Sequence, residues 1–358
     1  MTDLFYDQLK TKALAQEIPD DATSRTILTD DRVDVLSLVY AAYAARLKYK
    51  GKEVHVHVLN NVQNGHCPED CHYCAQSRDA ETAIEEYPVK SDQEILQEAE
   101  QAYRRGAYRY CLVFAGRGPS DGRIRHLTGL IREIKRRYPL EVCVSAGLLD
   151  ESKARQLKEA GLDRYNHNLN TSEALYPRIC STHTYGDRLN TLSAAKRAGL
   201  AVCSGVIVGM GEGPDDIIDM AKALRRLGAA SIPVNFFLPI PGVRLTSQPS
   251  LSPRDCLRIL CLFRLINPAA DIRVAAGREH YLKSMEVMAL YVANSLFVDG
   301  YLNARGQAVG KTLAMIREAG FVIKSEVPVD QLLNKVGSAA PDLKGSMELR
   351  PYEQTGVR

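Results

Sequence analysis

Cys67, Cys71 and Cys74 stand in C-x3-C-x2-C spacing within NGHCPEDCHYCAQS, with Tyr73 just ahead of the third. Three thiolates on one short loop can hold metal, yet structural zinc and an ordinary iron–sulfur cluster both take four ligands. A zinc knuckle would need a further ligand such as His66 or His72. Plain buried thiols fit poorly beside Pro68, Glu69, Asp70 and His72, which make the loop polar. The sharper reading is a site-differentiated [4Fe–4S] cluster, with three irons held by cysteine and the fourth left for a small molecule. An open metal position is a catalytic arrangement rather than a structural one.

A second constellation is spread along the chain. Cys111 in RYCL, Cys143 in EVCV and Cys203 in AVCS each occupy a similar offset in a β-rich run, and Arg273 in DIRV repeats that offset. Any one of these cysteines alone reads as a buried core thiol. Together they read differently, because strand side chains alternate between faces and equal offset implies equal facing. Three thiols and a guanidinium would then meet at one interior point, where an anionic thiolate cluster compensates the buried cation. Cys180, Cys256 and Cys261 fall in helical or loop contexts and read as packing.

The elements that must position these residues form an alternating series. β-rich runs are expected at 53–59, 108–116, 140–147, 163–169, 200–209, 231–237, 271–277 and 295–300, separated by helical patterns such as DESKARQLKEAGL. Eight strands alternating with helices predict an α/β fold, a (β/α)8 TIM-type barrel with an N-terminal helical extension. No strand-to-helix G-x-G-x-x-G supports the alternative, a doubly wound open sheet. The expected divisions are a helical segment at 1–48, a barrel at 49–325 and a peripheral or mobile tail at 326–358. Chemistry in such barrels sits in the loops after the strands, and the cysteine loop follows the first strand. That strand, EVHVHV, places His55 and His57 on one face, and valines packed toward the helices would send both histidines inward.

Composition narrows the class. The chain has 358 residues, a formal charge of +3 and nine cysteines. That charge is too small for a nucleic-acid or membrane argument, and no apolar run is long enough to span a bilayer. The opening MTDLFYDQLKTKAL carries early acids and no apolar core, so export is not expected. The cysteines therefore read as thiols in a reducing, cytoplasmic setting.

The cysteine loop resembles the signature of the radical S-adenosylmethionine (SAM) superfamily. A second superfamily motif, G-x-I-x-G-x-x-E, matches Gly205, Ile207, Gly209 and Glu212. From about residue 50 to 320 the chain is similar to the biotin synthase family, through GHCPEDCHYC, YNHNLNTS, THTYGDRLNT, VCSGVIVGMGE, IPVNFF and IRVAAGRE. The resemblance implies a sulfurtransferase that inserts sulfur into dethiobiotin, using a 5′-deoxyadenosyl radical and sulfide from an auxiliary cluster. It implies SAM on the open iron of the Cys67–Cys71–Cys74 cluster, and a [2Fe–2S] cluster on Cys111, Cys143, Cys203 and Arg273. Tyr73, Asn168, Asn170, Arg188 and Ile207 match SAM-binding positions, and Asn166, Asn168 and Asn235 match substrate contacts. Amides suit a ureido ring that both donates and accepts hydrogen bonds. His57 is a candidate donor to the auxiliary cluster from behind its ligands. An electron donor such as flavodoxin or ferredoxin, and a homodimer, are further implications. Three positions depart from the family pattern: Asn170 replaces an expected Asp, His183 an expected Arg, and Gln63 lies where a basic residue is expected. Rival readings are another radical SAM barrel enzyme, such as a hydrogenase-cofactor maturase or carbon-skeleton mutase, and a non-catalytic zinc or iron–sulfur protein.

Overall fold

The structure, a computed structural model, describes residues 1–246, 251–328, 331–332 and 344–347. Three helices come first: α1 (Asp3–Leu14), α2 (Asp21–Thr29) and α3 (Val35–Lys50). Asp20 and Asp34 cap α2 and α3 by accepting from Thr23 and Ser37 backbone N–H groups. Gly51, at φ 59, ends α3 in a conformation that other residues resist. This helical unit packs through α3 onto the later helix Pro253–Ile266 of the barrel.

The barrel strands are β1 (Glu53–Gln63), β2 (Arg109–Phe114), β3 (Glu141–Ser145), β4 (Arg164–Asn166), β5 (Ala201–Cys203), β6 (Val206–Val208), β7 (Ser231–Phe236), β8 (Asp271–Val274) and β9 (Ser295–Phe297). All neighbouring pairs are parallel, and β1 pairs β9 to close the ring. The helices between them include α4 (Asp92–Arg104), α5 (Asp121–Arg137), α6 (Glu151–Glu159), α7 (Tyr185–Arg197), α8 (Pro214–Leu227) and α9 (Pro253–Ile266). The expected eight-stranded barrel is therefore present. The run expected as one strand at 200–209 is divided into β5 and β6 by Ser204 and Gly205. Packing demands glycine at this break, since a Cβ at Gly205 would sit 1.9 Å from the Pro233 carbonyl oxygen. At its foot, β1 also pairs with β12 (Val322–Lys324). A hairpin of β10 (Gly300–Tyr301) and β11 (Ala304–Arg305) stands over the other end.

Side-chain alternation sorts the barrel into two shells. Val54, Val56 and Val58 of β1 join Ile95, Ile124, Leu127 and Ile131 in the apolar layer between strands and helices. Each such buried side chain contributes about 1.5–3 kcal/mol relative to exposure. The intervening His55 and His57 face inward as expected, His57 with no exposed surface. Cys256 and Cys261 lie fully buried in α9, consistent with packing. Among the described residues no helix is long and apolar enough to cross a membrane. Most of the expected 326–358 tail falls outside the described residues. Its described part includes Met347, whose backbone pairs with Asn303 and Arg305 on the hairpin.

Candidate functional site

A large cavity opens at the C-terminal ends of the strands. Its walls include all three loop cysteines, all three strand cysteines and Arg273, together with Asn166, Asn168, Asn170, Arg188, Ile207 and Asn235. The two constellations are thus brought to one chamber. His57 lies beneath it, 5.8 Å ring to ring from Phe297 of the wall.

The cysteine loop is held by its two acids. Asp70 accepts from the backbone N–H groups of Ser181 (3.0 Å) and Thr182 (3.1 Å) and from the Ser181 hydroxyl. Glu69 accepts from Thr182 Oγ1 (2.6 Å) and His183 Nδ1 (2.5 Å), with Arg117 at 3.3 Å. Burial alone would raise the carboxyl pKa of Asp70, but the Ser181, Cys180 and Thr182 donors outweigh it and hold it far below the usual range. The loop after β1 is thereby fastened to the loop that follows β4. Sequence reading treated Glu69 and Asp70 as mere polarity; their position between the cysteines was the available signal.

Cys180 is buried in the core, as expected of a packing residue, but it also makes polar contacts. Its Sγ lies 3.7 Å from Cys71 Sγ and 3.2 Å from Asp70 Oδ1. This proximity has no sequence signal: Asp70, adjacent in sequence to Cys71, grips Ser181 and Thr182, which follow Cys180.

Arg188 is 6% exposed, and its guanidinium donates to Tyr176 Oη (2.5 Å), the Asn168 carbonyl (2.5 Å) and His183 Nε2 (2.8 Å). These partners are all uncharged acceptors. No carboxylate among the described residues forms an ion pair with Arg188, so its charge is available to an anionic ligand. An obligate donor at Nε2 puts the His183 proton on Nδ1, directed at Glu69. His183, one of the departures, therefore links Arg188 to the cysteine loop. Asn170 adopts φ 69, which Asn tolerates, and donates from Nδ2 to Tyr73 Oη (2.5 Å). Tyr73 and Asn170 thus act as a pair.

The second constellation assembles through strand register. Cys111 faces Cys143 across β2 and β3, Asn166 faces Cys203 across β4 and β5, and each cysteine is the third residue of its strand. Arg273, third in β8, reaches within 3.9 Å of Cys203 Sγ and donates to Ser231 Oγ (2.9 Å). Hydrogen bonding to Cys143, then the Arg273 and Arg109 charges, hold the Cys203 thiol well below its usual range against burial. Hydrogen bonds to Cys111 and Cys203, together with burial, push Cys143 well up. The surrounding guanidinium groups thus favour anionic sulfur at this point.

Below the thiols lies a buried ionic layer that sequence reading did not assign. Fully buried Arg109 bonds Glu141 (2.6 Å), which also receives Arg164 (3.2 Å), and Asp271 pairs with Lys50 (2.8 Å). Apart from Lys50 at the end of α3, its charges were readable as isolated strand residues, and only assembly of the barrel joins them.

The residues fit the groups expected here. Arg273 Nε and His57 Nε2 are buried without hydrogen-bond partners among the described residues, and Arg273 lies against Cys203 of the thiol trio. Such orphaned donors suit an anionic cluster or its sulfides. Around the loop cysteines, the uncompensated Arg188 suits a carboxylate. Asn166 donates to Cys203 Sγ (3.3 Å) and to Asn168 Oδ1 (3.0 Å), between the two sets. Asn235 lines the cavity while its amide spans Val206 O (2.8 Å) and Ala276 N (3.1 Å).

Comparison with known proteins agrees with this geometry. Residues 62–224 match the Radical SAM superfamily and residues 233–322 the Biotin and Thiamin Synthesis associated domain. A biotin synthase of Magnetococcus marinus is 55% identical over 87% of this chain and 97% of its own length. Biotin synthase 2 of Frankia casuarinae is 42% identical over 98% of this chain and 96% of its own. The solved structure of methylornithine synthase (PylB) has a TM-score of 0.76 at 20% identity, covering 90% of this chain and 98% of that one, a likeness of fold alone. Taken with the two converging cysteine sets, these matches establish that the chain belongs to the biotin synthase family of the radical SAM superfamily.

Proposed function

We propose that this chain inserts sulfur into dethiobiotin to form biotin, with Cys67, Cys71 and Cys74 holding a [4Fe–4S] cluster and Cys111, Cys143, Cys203 and Arg273 holding a [2Fe–2S] cluster. The observation that carries the reading is one cavity lined by both thiol sets, with Asn166 and Asn168 between them. When bound, the clusters and SAM supply the electron, the hydrogen-abstracting radical and the sulfide. The protein residues bind, orient and exclude water. Arg188 holds the SAM carboxylate, with Tyr73 and Asn170 at the adenosine and Ile207 against it. Asn166, Asn168 and Asn235 present amides to the ureido ring. Arg273 offsets the negative charge of the auxiliary cluster, and His57 directs an N–H toward it from the side opposite the substrate. Enclosure within the barrel keeps bulk water from the reacting carbon.

Family membership further supports a cytoplasmic homodimer that takes electrons from a flavodoxin- or ferredoxin-type donor. The test is an anaerobic assay of reconstituted protein with SAM, reductant and dethiobiotin. Biotin should appear together with 5′-deoxyadenosine and methionine. SAM cleavage without biotin, in protein carrying both clusters, would overturn the proposal.

A further inference from the structure

Cys71 and Cys180 are separated by 109 positions in sequence, yet their sulfurs are 3.7 Å apart. The approach is built in on both sides. Asp70, next to Cys71, receives the backbone N–H groups of Ser181 and Thr182, next to Cys180. Cys180 is 3% exposed and is not part of the cavity wall, whereas Cys71 is. One sulfur therefore faces the chamber and the other waits behind it.

We propose that Cys71 and Cys180 form a peroxide-responsive dithiol that closes to a disulfide when the chain has lost its loop cluster. Of the two sulfurs, a peroxide entering the cavity reaches Cys71, whose residue lines the wall, before Cys180. Its O–O bond breaks, an S–O bond forms on Cys71, and the departing hydroxide takes the thiol proton as water. The Cys180 sulfur then attacks that sulfur. An S–S bond forms, the S–O bond breaks, and the hydroxide leaves with the Cys180 proton as a second water. The two sulfurs lose two electrons and the peroxide gains two. Further oxidation of Cys71 to sulfinic acid, which simple thiols do not reverse, is thereby pre-empted. A dithiol reductant reopens the bond and returns Cys71 for cluster rebuilding. Contraction from 3.7 Å to a bond of about 2.05 Å requires a small rotation of the side chains.

This inference rests on Cys71 being a cluster ligand under the proposed function, but its test is read on iron-free protein. Apo chain is treated anaerobically with hydrogen peroxide, free thiols are alkylated, and peptides are identified by mass. The expected product joins the Cys71 and Cys180 peptides and is lost on reduction. In Cys180→Ala, the expected product is over-oxidised Cys71, and the iron regained after reduction falls below that of the parent. Cys180→Ser, which retains a hydroxyl beside Asp70, serves if the alanine variant fails to take up iron before oxidation. A disulfide from Cys71 to Cys67 or Cys74 instead, or equal iron recovery in parent and variant, would overturn the dithiol. Neither outcome depends on whether the loaded enzyme makes biotin.

Discussion

Cys111 and Cys143 face each other as register partners on β2 and β3, each the third residue of its strand. Register alone brings these two sulfurs together, and Cys203 joins them through the same offset on β5. Their shared surroundings make them one unit, so removing any one should disable the set.

Cys111→Ala, Cys143→Ala and Cys203→Ala should each lose the auxiliary iron and sulfide while keeping the loop cluster. SAM should still bind, and biotin formation should stop. Iron and sulfide analysis with a visible spectrum checks this. Undiminished biotin formation by all three variants would remove the auxiliary assignment.

Changing Cys67, Cys71 or Cys74 to Ala should abolish 5′-deoxyadenosine formation, because the loop is the only part of the cavity wall with this C-x3-C-x2-C set. Chromatography of reaction products provides the measurement. Normal SAM cleavage by Cys71→Ala would show that the loop serves another purpose.

Arg273→Lys keeps a charge but loses the planar fork, and should retain the auxiliary cluster with an altered spectrum and partial activity. Arg273→Met leaves cluster charge uncompensated and should lose more iron. His57→Ala should shift the cluster's reduction potential without loss of iron. A redox titration followed by absorbance distinguishes these effects. Iron loss on His57→Ala would make His57 a direct ligand.

Acid should loosen the layer beneath the thiols. Burial raises the Glu141 carboxyl pKa, but Arg109 and Arg164 outweigh it and bring it down to about 2. A carboxylate depressed in the folded state contributes stability above its unfolded value, near 4.5 here, and loses it as pH falls through about 2. Chemical unfolding midpoints should therefore fall across that window. Glu141→Gln should flatten this slope and destabilise the chain by about 3–5 kcal/mol at neutral pH, since Arg109 keeps its buried charge. An unchanged acid slope would assign the loss to other groups.

Gly205→Ala should destabilise by about 1–3 kcal/mol, because the added methyl meets the Pro233 carbonyl at the strand break. Thermal unfolding reports it. A variant as stable as the parent would mean that the backbone there yields freely.

The sequence by itself determined the alternating elements, the loop thiol triad and the equal offsets of Cys111, Cys143, Cys203 and Arg273. These are local properties, since strand period and cysteine spacing are written in consecutive residues. It also determined the inward side of β1, because Val54, Val56 and Val58 claim the helix side. Only the tertiary structure decided the rest. Cys180 reaches Cys71 because Asp70 holds a distant loop, a contact with no signature in either segment. Arg109, Glu141, Arg164 and Asp271 become one ionic layer only when strands from separate parts of the chain close into a ring. The close approach of the Pro233 carbonyl to Gly205 at the break comes from the next strand, so strand propensity carries the reading of 200–209 through it. Long-range proximity is fixed by closure of the barrel, and no local pattern encodes which distant side chains that closure will bring together.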